Sequence, residues 1–167
     1  MKGLPEHATC SRETDSPVGK LVLFATKKGL AGLFFGHRVP DIDLPPNDLD
    51  NLHLNAAEEQ LAEYFEKKRQ SFDIRFDRRG TAFQESVWRQ LSEIPFGETC
   101  SYGDIAKRIN NPNSVRAVGL ANGSNPISII VPCHRVIGAD GSLTGFGGSL
   151  DIKHKLLTHE GLLLGLC

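Results

Sequence analysis

A cysteine followed directly by a histidine, Cys133 and His134, is the pair of side chains in this sequence best suited to covalent chemistry. A thiol becomes a strong nucleophile only after it loses its proton. A histidine close by can accept that proton, directly or through a water molecule, and an acidic side chain behind the histidine fixes the ring tautomer. On residue types alone, a buried structural cysteine followed by a surface histidine is the commoner explanation of such a pair.

The residues before this pair form a short β-branched run that ends at a proline. This run predicts a buried strand over residues 129–131, which Pro132 terminates. Successive side chains of a strand point to opposite faces, so Cys133 and His134 would diverge if the strand continued. The pair can therefore work together only if the chain turns after Cys133.

Composition excludes several classes of protein. The 167 residues carry 19 basic and 20 acidic side chains, and the net charge of −1 excludes a strongly basic nucleic-acid coat but not a local DNA-binding patch. The four cysteines contain no C-x-x-C pair, so neither a zinc ribbon nor a disulfide framework is expected. Without an apolar leader or a long apolar run, we expect a reduced, cytoplasmic protein that has no metal, no cofactor and no membrane contact.

A basic window without acidic residues lies in the second half of the chain. Residues 105–139 contain no Asp or Glu, and their basic side chains are Lys107, Arg108, Arg116 and Arg135. In the same region the pattern predicts two short helices, one at 101–109 and one that Ser114 caps, joined by a tight turn. This arrangement is typical of a DNA-binding helix-turn-helix, although any small helical domain can contain such a pair.

The first half of the chain has the pattern of a small sheet with a helix. Hydrophobic runs at 19–26 and 30–35 are separated by a short turn and predict a β-hairpin. Apolar residues with helical spacing predict an amphipathic helix over 56–68. Alternating residues predict a further strand over 72–76, and the polar segment that follows, 77–80, reads as a linker.

The second half is mostly helical. Thr81 is placed to cap a helix that ends before Pro95, and a final helix is predicted over Leu150–His159. We therefore expect residues 1–79 to form an N-terminal α/β domain. Residues 80–167 form a C-terminal domain, to which we assign DNA binding and the reactive cysteine.

The motif around the cysteine extends well beyond the Cys-His pair. Pro132-Cys133-His134-Arg135-Val136 is preceded by Asn125-Pro126 and followed by Gly141 and by Gly145-Phe146-Gly147-Gly148. This pattern resembles the active-site motif of the O6-alkylguanine-DNA alkyltransferase (methylated-DNA–protein-cysteine methyltransferase) family, most closely its constitutive bacterial type. The resemblance covers residues 95–161 at matching spacing and, more loosely, 16–21 and the hairpin. It implies an α+β fold, in which a ribonuclease H-like N-terminal domain of sheet and helix precedes a mainly helical, winged helix-turn-helix-like C-terminal domain.

This resemblance implies direct repair of DNA. An alkyl group would move irreversibly from guanine O6, with thymine O4 as a second candidate, to Cys133, so that each molecule acts once. His134, aided by water, would deprotonate Cys133, and Glu160 would orient His134. A glutamate at a helix C-terminus is unfavourable against the helix dipole, which favours a specific partner for Glu160. Asn125 would hold the backbone in register with the helix pair, although a turn-forming Asn-Pro explains it equally well.

The target base lies inside the duplex, so it must be flipped out before it can react. By resemblance, Arg116 enters the helix and fills the gap, and Tyr102 crowds the phosphate of the flipped nucleotide. The implied DNA-binding residues are Tyr102, Ser114, Arg116, Ala117 and Arg135. The implied substrate pocket consists of Tyr102, Val131, Pro132, Phe146, Gly147 and Gly148. Phe146 stands where relatives often have tyrosine, which keeps stacking on the base but loses a hydroxyl hydrogen bond.

Three other functions compete with this interpretation. An alkyltransferase-like protein would bind lesions without transferring anything, but such relatives usually replace the cysteine, and Cys133 is present. A helix-turn-helix regulator would use residues 132–136 only as core. A cysteine hydrolase would need an oxyanion-hole motif, which we do not find. The partner expected from the resemblance is double-stranded DNA carrying O6-alkylguanine, bound by a monomer.

Overall fold

The structure, a computed structural model, describes residues 3–162 and divides into two compact units. The first unit runs to Arg79 and also takes in Pro126–Ile130. The second comprises Gly80–Asn125 and the chain from Val131 onward. A small sheet with a helix in the first unit and helices in the second confirm the predicted α+β class. No helix in the part of the chain that the structure describes is long and apolar enough to cross a membrane.

The first unit is built on an antiparallel sheet of three strands in sequence order, β1 (Cys10–Thr14), β2 (Leu21–Ala25) and β3 (Leu30–Phe35). Every residue of the central strand β2 is buried, as expected for the middle of a sheet that is rich in Leu, Val and Phe. The predicted hairpin of β2 and β3 is confirmed, with Leu23 opposite Leu33. Strand β1 was not predicted from its polar sequence.

One helix, α1 (Leu52–Phe65), packs in the first unit. It begins at Asn51, whose side chain accepts hydrogen bonds from the backbone N–H groups of His53 and Leu54. The predicted helix over 56–68 therefore began and ended too late. The strand predicted over 72–76 was wrong, because only an isolated bridge between Phe76 and Leu30 forms there.

The second unit begins with α2 (Ala82–Ser92), which Thr81 caps as predicted. The Thr81 hydroxyl accepts from the N–H of Gln84, and the Gln84 side chain accepts from the N–H of Thr81, so two otherwise unpaired donors are satisfied. The buried indole of Trp88 donates to the carbonyl oxygen of Ala121 at 2.8 Å. This bond ties α2 to the helix that carries the predicted DNA-binding arginine.

The predicted helix pair is present as α3 (Tyr102–Arg108) and α4 (Val115–Gly123). The turn between them passes through Asn110, whose φ of 57° lies in the left-handed region that asparagine tolerates. Ser114 occupies the N-cap position of α4 as predicted, but its hydroxyl donates to the carbonyl oxygen of Asn111 and accepts nothing from the helix. A short parallel pair, β4 (Cys100–Ser101) and β5 (Val136–Ile137), lies in the same unit.

The strand predicted over residues 129–131 is also wrong, although these residues are buried as expected. The chain turns here, and Ile129 has a φ of 69°, which is rare for a β-branched residue. After this segment come β5 and the final helix α5 (Leu150–His159), whose predicted bounds are confirmed. Ser149 begins α5 by accepting from the N–H of Ile152.

The N-cap positions of α2 and α4, Thr81 and Ser114, offer a matched test of helix stability in the second unit. Thr81→Ala removes a true cap and should lower the free energy of unfolding by about 1 kcal/mol. Ser114→Ala should lower it by no more than about 0.5 kcal/mol, since Ser114 caps no N–H group. Urea unfolding followed by the fluorescence of the single tryptophan, Trp88, measures both, and equal losses would contradict the assignment of the caps.

Candidate active site

The Cys-His pair lies on a turn. Sequence analysis required such a turn, because the two side chains would diverge on a continuous strand. Cys133–Arg135 form one turn of 3-10 helix immediately after Pro132. The N–H of Cys133 donates to the carbonyl oxygen of Val131 at 2.8 Å, and the N–H of Arg135 donates to that of Pro132 at 3.0 Å. The Cys133 side chain is buried, with 4% of the residue exposed.

Two asparagine side chains hold the backbone on either side of this turn. Asn125 Nδ2 donates to the carbonyl oxygen of Val131 at 2.8 Å. Asn122 Nδ2, from α4, donates to that of Cys133 at 3.4 Å, the long end of the hydrogen-bond range. The chain leaves the second unit after Asn125 and returns to it at Val131. The bond from Asn125 to Val131 therefore joins the two ends of the segment 126–130.

The buried acid of the site is Glu160, the residue at the C-terminal end of α5. Its Oε1 lies 2.8 Å from Nε2 of His134, and neither side chain is exposed to solvent. Its Oε2 also accepts from the N–H of Gly97 at 3.3 Å. Gly97 has a φ of 79°, and a Cβ atom there would lie 3.2 Å from the carbonyl oxygen of Glu160, so glycine is required for this approach.

Arg135, which was predicted to bind DNA, is buried and engaged within the protein. Its guanidinium grips Glu160 through two bonds of 2.9 Å, and its third donor reaches the carbonyl oxygen of Ile94 at 2.6 Å. The residue is 5% exposed, so a phosphate cannot reach it. Its burial does not support the predicted role in DNA binding, which stays a prediction. Three of the basic side chains in the acid-free window are exposed: Lys107, Arg108 and Arg116.

The charges of this network set the state of the imidazole. Burial alone would raise the pKa of the Glu160 carboxyl, but hydrogen bonds from His134 and Arg135 outweigh it and hold that pKa well below its usual range. Burial lowers the pKa of His134, although its hydrogen bond to Glu160 and the charge of that residue act in the opposite direction. At neutral pH the site therefore holds an Arg135–Glu160 ion pair beside a neutral His134.

The same contacts determine which nitrogen of His134 carries the proton. Glu160 is a carboxylate and can only accept, so Nε2 must be the donor. In a neutral imidazole the other nitrogen, Nδ1, then has a free lone pair. Nδ1 is buried and has no hydrogen-bond partner among residues 3–162. It is the atom of this site that can take up a proton.

Lys153 on α5 is a buried base of the site that sequence analysis missed. Its Nζ donates to the carbonyl oxygens of Val136 at 2.5 Å and Thr144 at 2.8 Å. Burial lowers its pKa to about 8, and the neighbouring Cys133 opposes that shift. The signal was its position among the apolar residues of α5, one residue after Ile152 and three before Leu156, which places a lysine on the buried face.

Tyr102, at the start of α3, lies beside residues 144–148, which we call the glycine-rich loop. Its hydroxyl donates to the carbonyl oxygen of Thr144 at 2.9 Å, and burial raises the pKa of this phenol. A Cβ atom at Gly145 would lie 3.3 Å from the same hydroxyl, and Gly145 has a φ of 53°. The charge of a Cys133 thiolate would raise the pKa values of both Tyr102 and Lys153.

The other predicted residues fall into two groups by exposure. Arg116 and Ala117 are exposed on α4, and Ser114 before it is partly exposed. In the predicted pocket Val131, Pro132 and Gly148 are buried, whereas Phe146 and Gly147 are half-buried. The roles of these residues in binding stay predictions. Within residues 3–162, no three His, Cys, Asp or Glu side chains come together as metal ligands would.

The shifted pKa of His134 gives the stability of the protein a defined pH dependence. The unfolded chain binds a proton on this histidine near its ordinary pKa of 6.5, whereas the folded protein binds one only at lower pH. The free energy of unfolding should therefore fall as the pH drops below 6.5, by at most about 1.4 kcal/mol per pH unit from this group. Glu160 adds a further loss below pH 4.5, where its carboxylate is protonated in the unfolded chain.

Urea unfolding at pH 7, 6 and 5 measures this slope. His134→Gln should make it shallower than in the wild type. His154→Gln, in α5 but outside the Glu160 network, should leave it unchanged. A wild-type slope in the His134→Gln variant would contradict the neutral state of the buried imidazole.

Two family models match the chain, one in each half. The model described as 6-O-methylguanine DNA methyltransferase, ribonuclease-like domain, matches residues 12–78. The model described as 6-O-methylguanine DNA methyltransferase, DNA binding domain, matches residues 82–162.

Individual relatives match over nearly the whole chain. A methylated-DNA–protein-cysteine methyltransferase of Methanosarcina acetivorans is 49% identical over 88% of this chain and 95% of its own length. One of Mycolicibacterium paratuberculosis is 50% identical over 89% of this chain and 90% of its own. The crystal structure of Mycobacterium tuberculosis OGT in complex with DNA superimposes with a TM-score of 0.82 at 47% identity, covering 90% of this chain and 91% of that one.

Proposed function

This chain belongs to the 6-O-methylguanine DNA methyltransferase family, and we propose that it repairs DNA by moving an alkyl group irreversibly from guanine O6 to Cys133. The family membership supports direct reversal of DNA damage as its activity. The observation that carries the assignment to Cys133 is the buried chain of contacts from the Cys133–Arg135 turn through His134 to Glu160.

The transfer begins with the proton of the thiol. His134 Nδ1 accepts it from Cys133 Sγ, directly or through water, while Nε2 keeps its hydrogen bond to Glu160. The imidazolium that forms is stabilised by the Glu160 carboxylate, which Arg135 keeps ionised. The second buried cation, Lys153, favours the negative sulfur of Cys133 electrostatically.

The thiolate then displaces guanine from the alkyl carbon. Sγ donates an electron pair to that carbon, the bond between carbon and O6 breaks, and its electrons return to the base, which takes up a proton to become guanine. The product at Cys133 is a thioether, which the protein has no means of cleaving. One molecule of protein therefore repairs one lesion.

Access to the base requires contact with DNA, for which the exposed face of α4 is the candidate surface. Arg116 and Ala117 are exposed there, and a guanidinium can fill the gap that a flipped base leaves and hydrogen-bond its orphaned partner. The small residues Ala117, Gly119 and Gly123 permit a close approach of the helix backbone to the minor groove. We propose double-stranded DNA carrying O6-alkylguanine as the substrate and a monomer as the acting form.

A lesion-binding protein that does not transfer the alkyl group is the second candidate. It would use the same DNA-binding face but leave Cys133 unmodified. The presence of Cys133 argues against it, since alkyltransferase-like lesion binders usually replace the cysteine.

Intact mass separates the two candidates. Incubation with DNA containing O6-methylguanine should add one methyl group per wild-type molecule, on Cys133, and the reaction should stop at stoichiometry. Cys133→Ala should gain no mass and still bind the DNA, because the thiol is small and the proposed DNA-binding surface is the exposed face of α4. Cys10→Ala and Cys100→Ala should react like the wild type. The fourth cysteine, Cys167, lies outside the described residues, and its replacement should also leave transfer intact. Methylation of the Cys133→Ala variant would refute the assignment of the acceptor.

Arg116→Ala should impair repair of a duplex far more than reaction with free O6-benzylguanine. Flipping a base costs a few kcal/mol, and a free base does not have to be flipped. The rate at saturating duplex should fall about tenfold or more, while the rate with the free base stays within about twofold of the wild type.

Lys107→Ala is the matched control, because Lys107 is an exposed basic residue on α3. It should weaken duplex binding in a salt-dependent way without changing the rate at saturation. Equal losses on both substrates in Arg116→Ala would assign Arg116 to the fold or the pocket, and its role in base flipping would be rejected.

A further inference from the structure

A turn with two lysines lies at one edge of the first unit and has no part in the mechanism above. Lys27 and Lys28 are exposed in the turn between β2 and β3. The backbone of the exposed Arg75 lies against the same turn, because its carbonyl oxygen accepts from the N–H of Leu30 at 2.8 Å. A Cβ atom at Gly29 would lie 2.7 Å from that oxygen. We call Lys27, Lys28 and Arg75 the basic edge.

The three side chains of the basic edge form no ion pair within residues 3–162. Asp77 is hydrogen-bonded at the same edge, but its Oδ2 accepts from the hydroxyl of Thr26 at 2.6 Å, which holds this carboxylate within the unit. Other basic side chains of the first unit are paired with carboxylates: Arg12 with Glu58, Lys20 with Glu13, Lys68 with Glu66 and Arg69 with Glu63. The positive charges of the basic edge are therefore left for a partner outside the chain.

The turn that carries the two lysines is held in place by hydrogen bonds. The N–H of Thr26 donates to the carbonyl oxygen of Gly29 at 3.0 Å, and the Thr26 hydroxyl accepts from the N–H of Lys28 at 3.0 Å. The buried Asn51 donates through Nδ2 to the carbonyl oxygen of Thr26 at 3.2 Å. Lysines that are merely solvated need no such support, whereas a fixed backbone lowers the entropy that a binding surface loses.

The distribution of charge indicates the class of partner. Residues 1–79 carry 12 basic and 13 acidic side chains, so this part of the chain can hold a polyanion only through a local patch. Double-stranded DNA carries one negative charge per about 1.7 Å of its axis, so several cations of one patch can meet phosphates at once. The proposed function already brings this protein to such a polymer.

We propose that the basic edge binds the phosphate backbone of double-stranded DNA, as a second contact surface besides the exposed face of α4. The inference rests on the proposed function only for the identity of the partner. Contacts to phosphates carry no sequence information, so this surface binds damaged and undamaged duplexes alike. Each contact releases counterions from the DNA, which makes the salt dependence of binding the signature of the basic edge.

The test measures the affinity for a fluorescent, undamaged duplex of about 30 base pairs by anisotropy, from about 50 to about 200 mM salt. One variant combines Lys27→Gln with Lys28→Gln. The matched control combines Lys20→Gln with Lys68→Gln, which removes the same charge from two lysines of the same unit that are 53% and 70% exposed but already paired. A third variant, Lys27→Arg with Lys28→Arg, keeps the charge.

The Lys27→Gln, Lys28→Gln variant should bind the duplex about tenfold more weakly at the lowest salt. Its slope of log K against log salt should be shallower by about 2, since each lost phosphate contact removes about one unit. Arg75→Gln alone should make the slope shallower by about 1. The control should stay within about twofold of the wild type at every salt concentration, and the arginine variant should keep the wild-type slope.

Two outcomes overturn the inference. A wild-type slope in the Lys27→Gln, Lys28→Gln variant would mean that the basic edge does not touch DNA. An equal loss of affinity in the control would assign the effect to net charge and not to this surface.

The proposed function is read separately in the same variants. Transfer from free O6-benzylguanine and the rate at saturating methylated duplex should match the wild type, because Cys133 and Arg116 are unchanged. A wild type that transfers no alkyl group would refute the proposed function, whereas binding to an undamaged duplex involves no transfer and still decides whether the basic edge holds DNA.

Discussion

The carboxylate of Glu160 is the group on which the arrangement of the site depends. A buried carboxylate is stable only when it is paired and hydrogen-bonded, and here Arg135 supplies the compensating charge through two bonds of 2.9 Å. The pairing leaves Oε1 able to accept from His134 as well, which fixes the imidazole tautomer. The residues at positions 134 and 135 therefore both bind Glu160, and Nδ1 of His134 is left as the nitrogen that we propose to accept the thiol proton. Glu160 tolerates the end of α5 because these partners outweigh the unfavourable helix dipole.

Sequence analysis identified Cys133, His134 and Glu160 as site residues, but it did not predict that Arg135 and Lys153 are buried beside them. A glutamate placed against the helix dipole indicated that Glu160 had a specific partner, and the His134 contact agrees with that argument. Arg135 was counted with the basic window, because a charge count along the chain carries no information on burial. Lys153 was missed for the same reason. The burial of both residues depends on packing with elements distant in sequence.

The helices were easier to predict than the segment that leads to the cysteine. Helix α2 follows from local signals, the cap at Thr81 and apolar residues at helical spacing, and the bounds of α5 were predicted correctly. Residues 129–131 have the composition of a strand, and their burial was predicted correctly. Ile129, with its left-handed backbone, lies in the segment 126–130, which belongs to the first unit. The Asn125–Val131 bond joins the two residues of the second unit that flank this segment. No local preference of Ile or Val indicates such a turn.

The burial of Cys133 has a consequence for a protein that can react only once. A molecule whose Cys133 has become a thioether cannot react again. A small electrophile that reached an exposed thiolate would therefore inactivate the protein before it met DNA. Only 4% of Cys133 is accessible, and the groups that we propose to activate it, His134 and Lys153, are buried as well. Activation and protection are therefore combined in one place. In the proposed mechanism, a base that has been extruded from the duplex and inserted into the pocket meets the thiol, whereas a base that remains stacked in DNA cannot. Substrate selection by this fold thus begins with access, before any hydrogen bond to the base is made.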